Sequence, residues 1–144
     1  MTAEGKSILI VSACLAGVRC RYDGAEKPCA KVIRLVKQGR AIPICPEQLG
    51  GLPTPRVAAE RQGEKVVRKD GVDVTTEFNQ GAHEALKIAK LVDAKKAILK
   101  ARSPSCGSGE TYDGTFTGKL IDRDGVFAEL CKKNGIEVLT EEEI

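Results

Sequence analysis

Short apolar runs that alternate with helical stripes constrain the fold of this chain more than any other feature. The run from Ser7 to Ser12 is followed by a helical stripe and then by a second apolar run from Ala41 to Ile44. Runs of this kind are typical of strands that are buried on both faces. The strand-helix-strand order favours a parallel pair joined by a right-handed crossover.

The alternation continues to the C-terminus. After a predicted N-cap at Thr75 or Thr76, apolar residues repeat with helical spacing up to Val92, and a third buried strand is expected over 96–99. A last helix then precedes a final strand over 136–139. Because 144 residues suit one core, we predict a single domain over residues 1–144. Its expected fold is a doubly wound, three-layer, Rossmann-like α/β fold with a mostly parallel sheet.

Glycine and proline mark the segments between these elements. The stretch from Pro46 to Arg56 is predicted to be an irregular loop. Turns at Gly63 and at Asp70-Gly71 indicate a small hairpin around Lys65 to Arg68. Four glycines between 107 and 118 predict a flexible loop that acts as a lid. Long loops in compact domains often carry function, so we expect a site near these segments.

Composition and charge exclude several classes of protein. A net charge of +3, from 23 basic and 20 acidic residues, is too weak a bias for a nucleic-acid-binding domain. The N-terminal apolar run lacks the length of a secretory signal, and no membrane partner is expected. Six cysteines in a chain without such a signal predict a reducing compartment, so we expect a cytoplasmic protein.

Three cysteines each follow a predicted strand of the sheet. They are Cys14, Cys45 and Cys106. Ligands of parallel α/β sheets bind beyond the carboxyl ends of the strands, and strands about 4.8 Å apart bring distant loops together. Three thiolates leave one coordination position vacant on a tetrahedral zinc ion and on a cubane iron-sulfur cluster alike. The residues therefore predict a soft-metal site with an open position.

The other cysteines and the single histidine have simpler interpretations. Cys131 lies on the apolar face of the last helix and is expected in the core. Cys29 begins the first helix, where a structural role is expected. Cys20 is a spare ligand or a resolving thiol, and a fourth ligand from Cys20 or Cys29 would close the open position. His83 falls in the middle of the long helix and is expected at the surface.

Three ordered motifs carry a resemblance that spans nearly the whole chain. They are Cys14-Leu15-Ala16-Gly17 with Arg21-Tyr22-Asp23-Gly24, Cys45-Pro46-Glu47 with Gly50-Gly51-Leu52-Pro53 and Pro55-Arg56, and Lys100 with Ser103-Pro104-Ser105-Cys106-Gly107. Together they resemble the thiouracil desulfidase family of small prokaryotic proteins. The resemblance implies a [4Fe-4S] cluster held by Cys14, Cys45 and Cys106, with one open iron position. It also implies an enzyme that converts 2- or 4-thiouracil to uracil and sulfide.

The chemistry of this activity fits the residue types. An iron with an open position is a Lewis acid that binds a soft sulfur and polarises the C=S carbon toward water, so the reaction is a hydrolysis. Such a reaction needs a titratable group beside the cluster, and Glu47, two residues from Cys45, is the candidate. Pro104 biases Ser103 toward an extended backbone. Ser103 resembles the active-site serine of the family, and Ser105 is the less favoured candidate.

The roles of the basic residues near the motifs and the partners of the protein are open to more than one interpretation. Arg56, Lys100 and Arg102 would compensate cluster charge or contact a pyrimidine oxygen. The expected partner is a small thiolated pyrimidine, with a sulfide acceptor as a further candidate and no nucleic acid. One alternative is a non-catalytic metal or iron-sulfur protein that senses redox state or carries sulfide. Another is a thiol redox enzyme that uses Cys14 and Cys20.

Overall fold

The computed structural model describes residues 7–144 as helices layered on a central sheet. In chain order the strands are β1 (Leu9–Ser12), β2 (Ala41–Ile44), β3 (Ala59–Gln62), β4 (Lys65–Arg68), β5 (Lys96–Leu99), β6 (Thr111–Tyr112), β7 (Leu120–Ile121) and β8 (Glu137–Thr140). The helices are α1 (Ala30–Lys37), α2 (Pro46–Leu49), α3 (Thr75–Leu91) and α4 (Val126–Lys133). Two 3-10 turns, Ala13–Ala16 and Glu141–Glu143, follow β1 and β8.

Four parallel strands form the central sheet in the order β2-β1-β5-β8. In β1, Val11 pairs with Pro43 on one side and with Ile98 on the other. Every pairing in this sheet is parallel, and Ile10 and Val11 have no exposed surface. The predicted α/β fold with a mostly parallel sheet is confirmed. The parallel arrangement places the loops that follow β1, β2 and β5 at the same edge.

Helices cover both faces of the sheet. On one face, α3 and α4 pack against Ile10 and Leu99 in a core that contains Phe127 and Cys131. On the other face, α1 and the 3-10 turn after β1 pack against Val11 and Ile98. Cys131 has no exposed surface, so its predicted place in the core is confirmed. The helix faces match the apolar stripes because each stripe has a sheet face to cover.

The segment 46–56 differs from its prediction. It begins with the short helix α2 rather than with irregular chain, and Pro46 occupies the first turn of that helix. Proline is favoured at this position because its fixed φ suits a helix and its missing N–H would be unpaired there anyway. The rest of the segment, up to Arg56, is irregular as predicted and includes a cis peptide bond between Thr54 and Pro55.

The start of α3 also differs from its prediction. Thr75 is the first helical residue, and the N-cap is Val74. The Thr75 hydroxyl oxygen accepts a hydrogen bond from the Val66 N–H of β4 at 2.9 Å, so it is engaged by the neighbouring hairpin. Asp73 instead accepts from the Thr75 N–H at 2.8 Å. The prediction of a threonine cap was wrong because a tertiary partner recruits the hydroxyl.

Two small antiparallel hairpins complete the structure. The predicted hairpin around Lys65–Arg68 is β3 paired with β4. The glycine-rich segment, predicted as a loop, contains a second hairpin of β6 and β7. His83 is exposed, as predicted. No helix within residues 7–144 has the length and apolar character needed to cross a membrane. The prediction that no secretory signal is present partly concerns residues 1–6, which lie outside the described range.

Candidate active site

A cavity of about 270 Å³ opens at the carboxyl edge of the central sheet. The loops after β1, β2 and β5 contribute four cysteines to its wall, namely Cys14, Cys20, Cys45 and Cys106. The three cysteines predicted as ligands therefore lie around one cavity, although they are separated by 31 and 61 residues in the sequence. Cys29 and Cys131 are not part of the wall. The cavity is the place where a group with several thiolate ligands fits.

Local structure fixes each of these cysteines at the end of a strand. Cys14 lies in the 3-10 turn directly after β1, and Cys45 is the residue between β2 and α2. Cys106 lies in a tight turn after β5, where its N–H donates to the Ser103 hydroxyl oxygen at 3.0 Å. That oxygen also accepts from the Ser105 N–H at 3.2 Å. Cys14 and Cys106 are buried, and Cys45 is partly buried.

Cys20 joins the group through both its backbone and its side chain. Its carbonyl oxygen lies 3.7 Å from the Cys45 sulfur and accepts from the Arg56 guanidinium at 3.0 Å. Its thiol contacts Cys14 and Cys45, and the contact with Cys14 together with burial raises the pKa of Cys20 to about 11. The sequence showed only that Cys20 is six residues from Cys14 along the chain. The contact between Cys20 and Cys45 is visible only in the structure.

The thiols of Cys45 and Cys106 have strongly raised pKa values. For Cys45 the first cause is the hydrogen bond with Cys20 and the second is burial. For Cys106 burial raises the pKa, and a hydrogen bond with Ser12 opposes it in part. A thiolate becomes stable in such a place only next to positive charge. A cationic metal group supplies that charge, and its binding releases the protons of the thiols.

The donor set fits an iron-sulfur cluster. It consists of soft sulfur ligands without histidine, which is the set that holds such clusters. Within residues 7–144, no three cysteine, histidine or carboxylate side chains are grouped closely enough for a single metal ion. The cysteine ligands of a cluster bind separate iron atoms, so they lie farther apart than the ligands of one ion. Cys14, Cys45 and Cys106 line one cavity from three different loops, which is the arrangement expected of ligands to separate iron atoms.

Glu47 lies in the same wall and is paired with Arg56. The Arg56 Nε donates to Glu47 Oε1 at 3.0 Å, and Arg56 Nη2 lies 3.0 Å from the same oxygen. The Glu47 side chain is 14% exposed, and the Arg56 side chain is 7% exposed. Burial raises the pKa of the Glu47 carboxyl, and the Arg56 guanidinium opposes that shift. The site therefore contains a nearly buried carboxylate beside the cysteines. The catalytic role expected of Glu47 stays a prediction.

Two glycines set the position of the helix that carries Glu47. A Cβ on Gly50, just after α2, would come within 2.0 Å of the Glu77 carbonyl oxygen in α3. A Cβ on Gly81 of α3 would come within 1.9 Å of the Pro46 carbonyl oxygen. No side chain fits at either position, so the backbones of α2 and α3 are in direct contact. This contact holds the Cys45-Pro46-Glu47 motif against the long helix.

The two candidate serines occupy different environments. Ser103 lines the cavity, and its oxygen already accepts the two backbone hydrogen bonds described above. Its O–H is therefore the part that remains to donate into the cavity. Ser105 is 1% exposed, is absent from the cavity wall and has a hydroxyl with no hydrogen-bond partner among the described residues. The geometry favours Ser103 over Ser105, as the sequence did.

The basic residues predicted beside the site have acidic partners. Arg56 is paired with Glu47, as described above. The Lys100 ammonium lies 3.1 Å from Glu141, and the Arg102 guanidinium lies 2.6 Å from Glu142. The last two pairs join the third motif to the C-terminal turn. The expected roles of these cations toward a cluster or a pyrimidine stay predictions.

Three polar residues of the wall were given no role by the sequence analysis. Ser12 ends β1, accepts from the Lys100 N–H at 2.9 Å and hydrogen-bonds the Cys106 thiol. The sequence could have indicated Ser12 as a site residue, because it is the last residue of the strand that leads into the first motif. Glu60 of β3 and Tyr112 of β6 also line the cavity. No motif marked them, since only folding brings the two hairpins over the site.

A family comparison agrees with this geometry. The family model described as 2-thiouracil desulfurase matches residues 9–143. The chain belongs to the 2-thiouracil desulfurase family. The match includes all three cysteine motifs and the Glu47 helix. The family predicted from the motifs is therefore confirmed.

Two individual proteins are similar to this member of the 2-thiouracil desulfurase family over almost their full length. The uncharacterized protein YbbK of Bacillus subtilis (strain 168) is 43% identical, and the alignment covers 95% of this chain and 97% of YbbK. A solved structure titled [4Fe-4S]-dependent thiouracil desulfidase TudS (DUF523Vcz) is 46% identical with a TM-score of 0.93. That alignment covers 96% of this chain and 93% of the TudS chain.

Proposed function

We propose that this protein is a [4Fe-4S]-dependent thiouracil desulfidase whose cluster is held by Cys14, Cys45 and Cys106. The family and the similarity to TudS support the activity and the cluster. The observation that carries the assignment of ligands is the convergence of three distant cysteine motifs on one cavity. Three ligands on a four-iron cluster leave one iron for the substrate. The net reaction is hydrolysis, in which thiouracil and water give uracil and hydrogen sulfide.

When bound, the cluster supplies a soft Lewis acid that attracts the thione sulfur of the substrate. The chain supplies the other groups. Glu47 accepts a hydrogen bond from the attacking water and takes its proton as the water adds to the C=S carbon. Ser103 donates its O–H to the substrate, because its oxygen is held by two backbone N–H groups. The cavity wall holds these few groups around one space, so they can orient the reactants.

The partners and compartment follow from the same proposal. The substrate is a small thiolated pyrimidine, and the hydrogen sulfide that leaves is free to reach an acceptor outside the site. All six cysteines lie within the described residues, and none of them forms a disulfide. Cysteines in this number without disulfides suit a reducing compartment, which supports a cytoplasmic location.

Anaerobic reconstitution with iron and sulfide, followed by incubation with 2-thiouracil and 4-thiouracil, tests the proposal. We expect the wild type to bind about four irons per chain and to release uracil and sulfide. Cys106→Ala should lose both the cluster and the activity. Cys131→Ala is the matched control, since Cys131 is a buried cysteine like Cys106 but is not part of the cavity wall. Cys20→Ser should keep its iron, because Cys20 is outside the proposed ligand set.

The possible outcomes separate the competing functions. A bound cluster with no turnover of either base, or of the corresponding nucleosides and nucleotides, would support a sulfide carrier or redox sensor instead. Activity that survives removal of the cluster and depends on Cys20 would support a thiol redox enzyme. Loss of iron in Cys20→Ser with retention in Cys106→Ala would overturn the proposed ligand set.

A further inference from the structure

Arg56 has more hydrogen bonds than a residue that only balances a charge requires. Besides its contacts with Glu47, Nη2 donates to the Cys20 carbonyl oxygen at 3.0 Å. Nη1 donates to the Pro53 carbonyl oxygen at 3.1 Å and to the Thr54 hydroxyl at 3.0 Å. The guanidinium thereby joins the first cysteine loop, α2 and the irregular segment after it. A planar guanidinium used in this way has a single possible orientation.

The contact with Glu47 is asymmetric. Both guanidinium nitrogens that reach the carboxylate approach the same oxygen, Oε1, at 3.0 Å. Within residues 7–144, Oε2 receives no hydrogen bond and is not among the buried polar atoms that lack partners. Because Glu47 lines the cavity, Oε2 is the oxygen left to meet a ligand there. Arg–carboxylate pairs are frequently bidentate, so a pair that uses only one carboxylate oxygen leaves the other for a different partner.

We propose that Arg56 is a positioning residue of the reaction, because it holds Oε1 of Glu47 and leaves Oε2 as the hydrogen-bond acceptor for the substrate or the attacking water. The proposal rests on the proposed function, in which Glu47 acts on the attacking water. Arg56 does not need to touch the substrate for this role. Its hydrogen bond to the Cys20 carbonyl also fixes the loop that carries Cys20 against the Glu47 helix. The carboxylate and the cysteine loop therefore keep one relative position.

Lysine cannot replace arginine here. The four acceptors around Arg56 lie on three segments of the chain, and the guanidinium reaches them with three nitrogens in one plane. A lysine ammonium is a single donor centre on a flexible stem, so it keeps the charge and loses the orientation. Arg56→Lys therefore separates charge compensation from positioning. A misplacement of about 1 Å at a reacting group can lower a rate about 100-fold.

A double-mutant cycle on the reconstituted enzyme tests the proposal. The variants are Glu47→Gln, Arg56→Gln and the double variant, with Arg56→Lys added. Values of kcat and KM for thiouracil are normalised to the iron content of each sample. We expect Glu47→Gln to lower kcat at least about 100-fold. Arg56→Gln and Arg56→Lys should lower kcat about 10- to 100-fold, with KM within about 3-fold of wild type.

The cycle is decided by the effect of Arg56→Gln in the two backgrounds. If Arg56 acts through Glu47, its replacement should change kcat less than about 3-fold once Glu47 is already glutamine. An equal loss in both backgrounds would overturn the proposal and indicate a general structural role. Wild-type kcat in Arg56→Lys would also overturn it. Wild-type kcat in Glu47→Gln would instead contradict the role of Glu47 in the proposed function, so the two failures are distinct.

Arg61→Gln provides the matched control for this experiment. The Arg61 side chain is 5% exposed, much like that of Arg56, but it is not part of the cavity wall. Its replacement should lower stability and leave kcat per loaded enzyme unchanged. A loss of kcat in Arg61→Gln as large as that in Arg56→Gln would show that any buried arginine has this effect, and the proposal would fail.

Discussion

At the residue scale, the Ser103 oxygen has a structural and a chemical role at once. It accepts two backbone hydrogen bonds that shape the Cys106 turn, and its O–H is left to donate to a substrate in the cavity that Ser103 lines. Ser103→Ala should therefore lower kcat about 10- to 100-fold and weaken retention of the cluster. Steady-state kinetics and iron content measure the two effects separately.

Ser105→Ala is the control for that variant. The Ser105 hydroxyl is buried without a partner and is absent from the cavity wall. Removal of an unsatisfied hydroxyl is nearly neutral or stabilising, so Tm should stay the same or rise and kcat should not change. If Ser105→Ala lost activity while Ser103→Ala kept it, the assignment of the serines would be reversed.

Single residues differ in how far the sequence revealed them. Cys14, Cys45 and Cys106 were recognisable because each follows an apolar run, and Glu47 because it lies in a cysteine motif. The partner of Glu47 was not recognisable. Nothing in the sequence distinguished Arg56 from the other cations of the motifs, because a hydrogen bond across nine residues of irregular chain depends on the path of that chain.

At the scale of elements, the contact between α2 and α3 determines where the second motif lies. Gly81→Ala would usually stabilise a helix by about 1 kcal/mol. Here the added Cβ would meet the Pro46 carbonyl oxygen at 1.9 Å. We therefore expect the opposite sign, a loss of about 1–3 kcal/mol in the free energy of unfolding. Chemical denaturation measures it, and kcat should fall as well because α2 carries Glu47.

Asn79→Ala provides the comparison within the same helix. Asn79 is exposed in α3, and alanine is a better helix former than asparagine. This variant should be neutral or slightly stabilising, with unchanged kcat. If both variants raised stability, the backbones of α2 and α3 would not be in the contact described.

Elements that depend on local pattern were predicted better than those that depend on neighbours. The strands Ala41–Ile44 and Lys96–Leu99 lie at their predicted positions. The short helix Pro46–Leu49 was missed, because a segment rich in proline and glycine favours a loop until a neighbouring helix supports it. The start of α3 was misassigned for a similar reason, since its threonine bonds to β4.

At the scale of the whole molecule, a buried arginine connects the β3–β4 hairpin to the layered body. Arg61 Nη1 donates to the Asp124 carbonyl oxygen at 2.7 Å, and Nη2 donates to Glu129 of α4 at 2.9 Å. Burial raises the pKa of the Glu129 carboxyl, but Lys133 and Arg61 outweigh burial and hold it below its usual value. This connection stabilises the packing of the hairpin on the body, and Arg61 itself is not part of the cavity wall.

The lowered pKa predicts a pH dependence. A carboxyl whose pKa is lower in the folded chain stabilises the fold above its unfolded pKa, and the stabilisation is lost as pH falls through the folded pKa. Glu129→Gln should therefore lower the free energy of unfolding by about 1 kcal/mol near neutral pH. The difference from wild type should shrink over the acid range below about pH 5. Urea denaturation across this range measures it.

Glu84→Gln is the control for the pH series. Glu84 forms an exposed pair with Lys87 on α3, with side chains 42% and 70% exposed. Exposed pairs of this kind contribute little, so the variant should stay within about 0.5 kcal/mol of wild type at every pH. A pH-independent loss in Glu129→Gln would show that packing, not charge, accounts for its effect.

The sequence by itself determined the parallel α/β fold, the family and the set of three cysteines at strand ends. These features follow from local apolar runs and from motifs whose residues are neighbours in the chain. Only the tertiary structure decided the contact of Cys20 with Cys45, the pairing of Glu47 with Arg56 and the closing of the wall by Glu60 and Tyr112. Those contacts join segments far apart in sequence, and their partners become defined only when the helices and hairpins pack on the sheet.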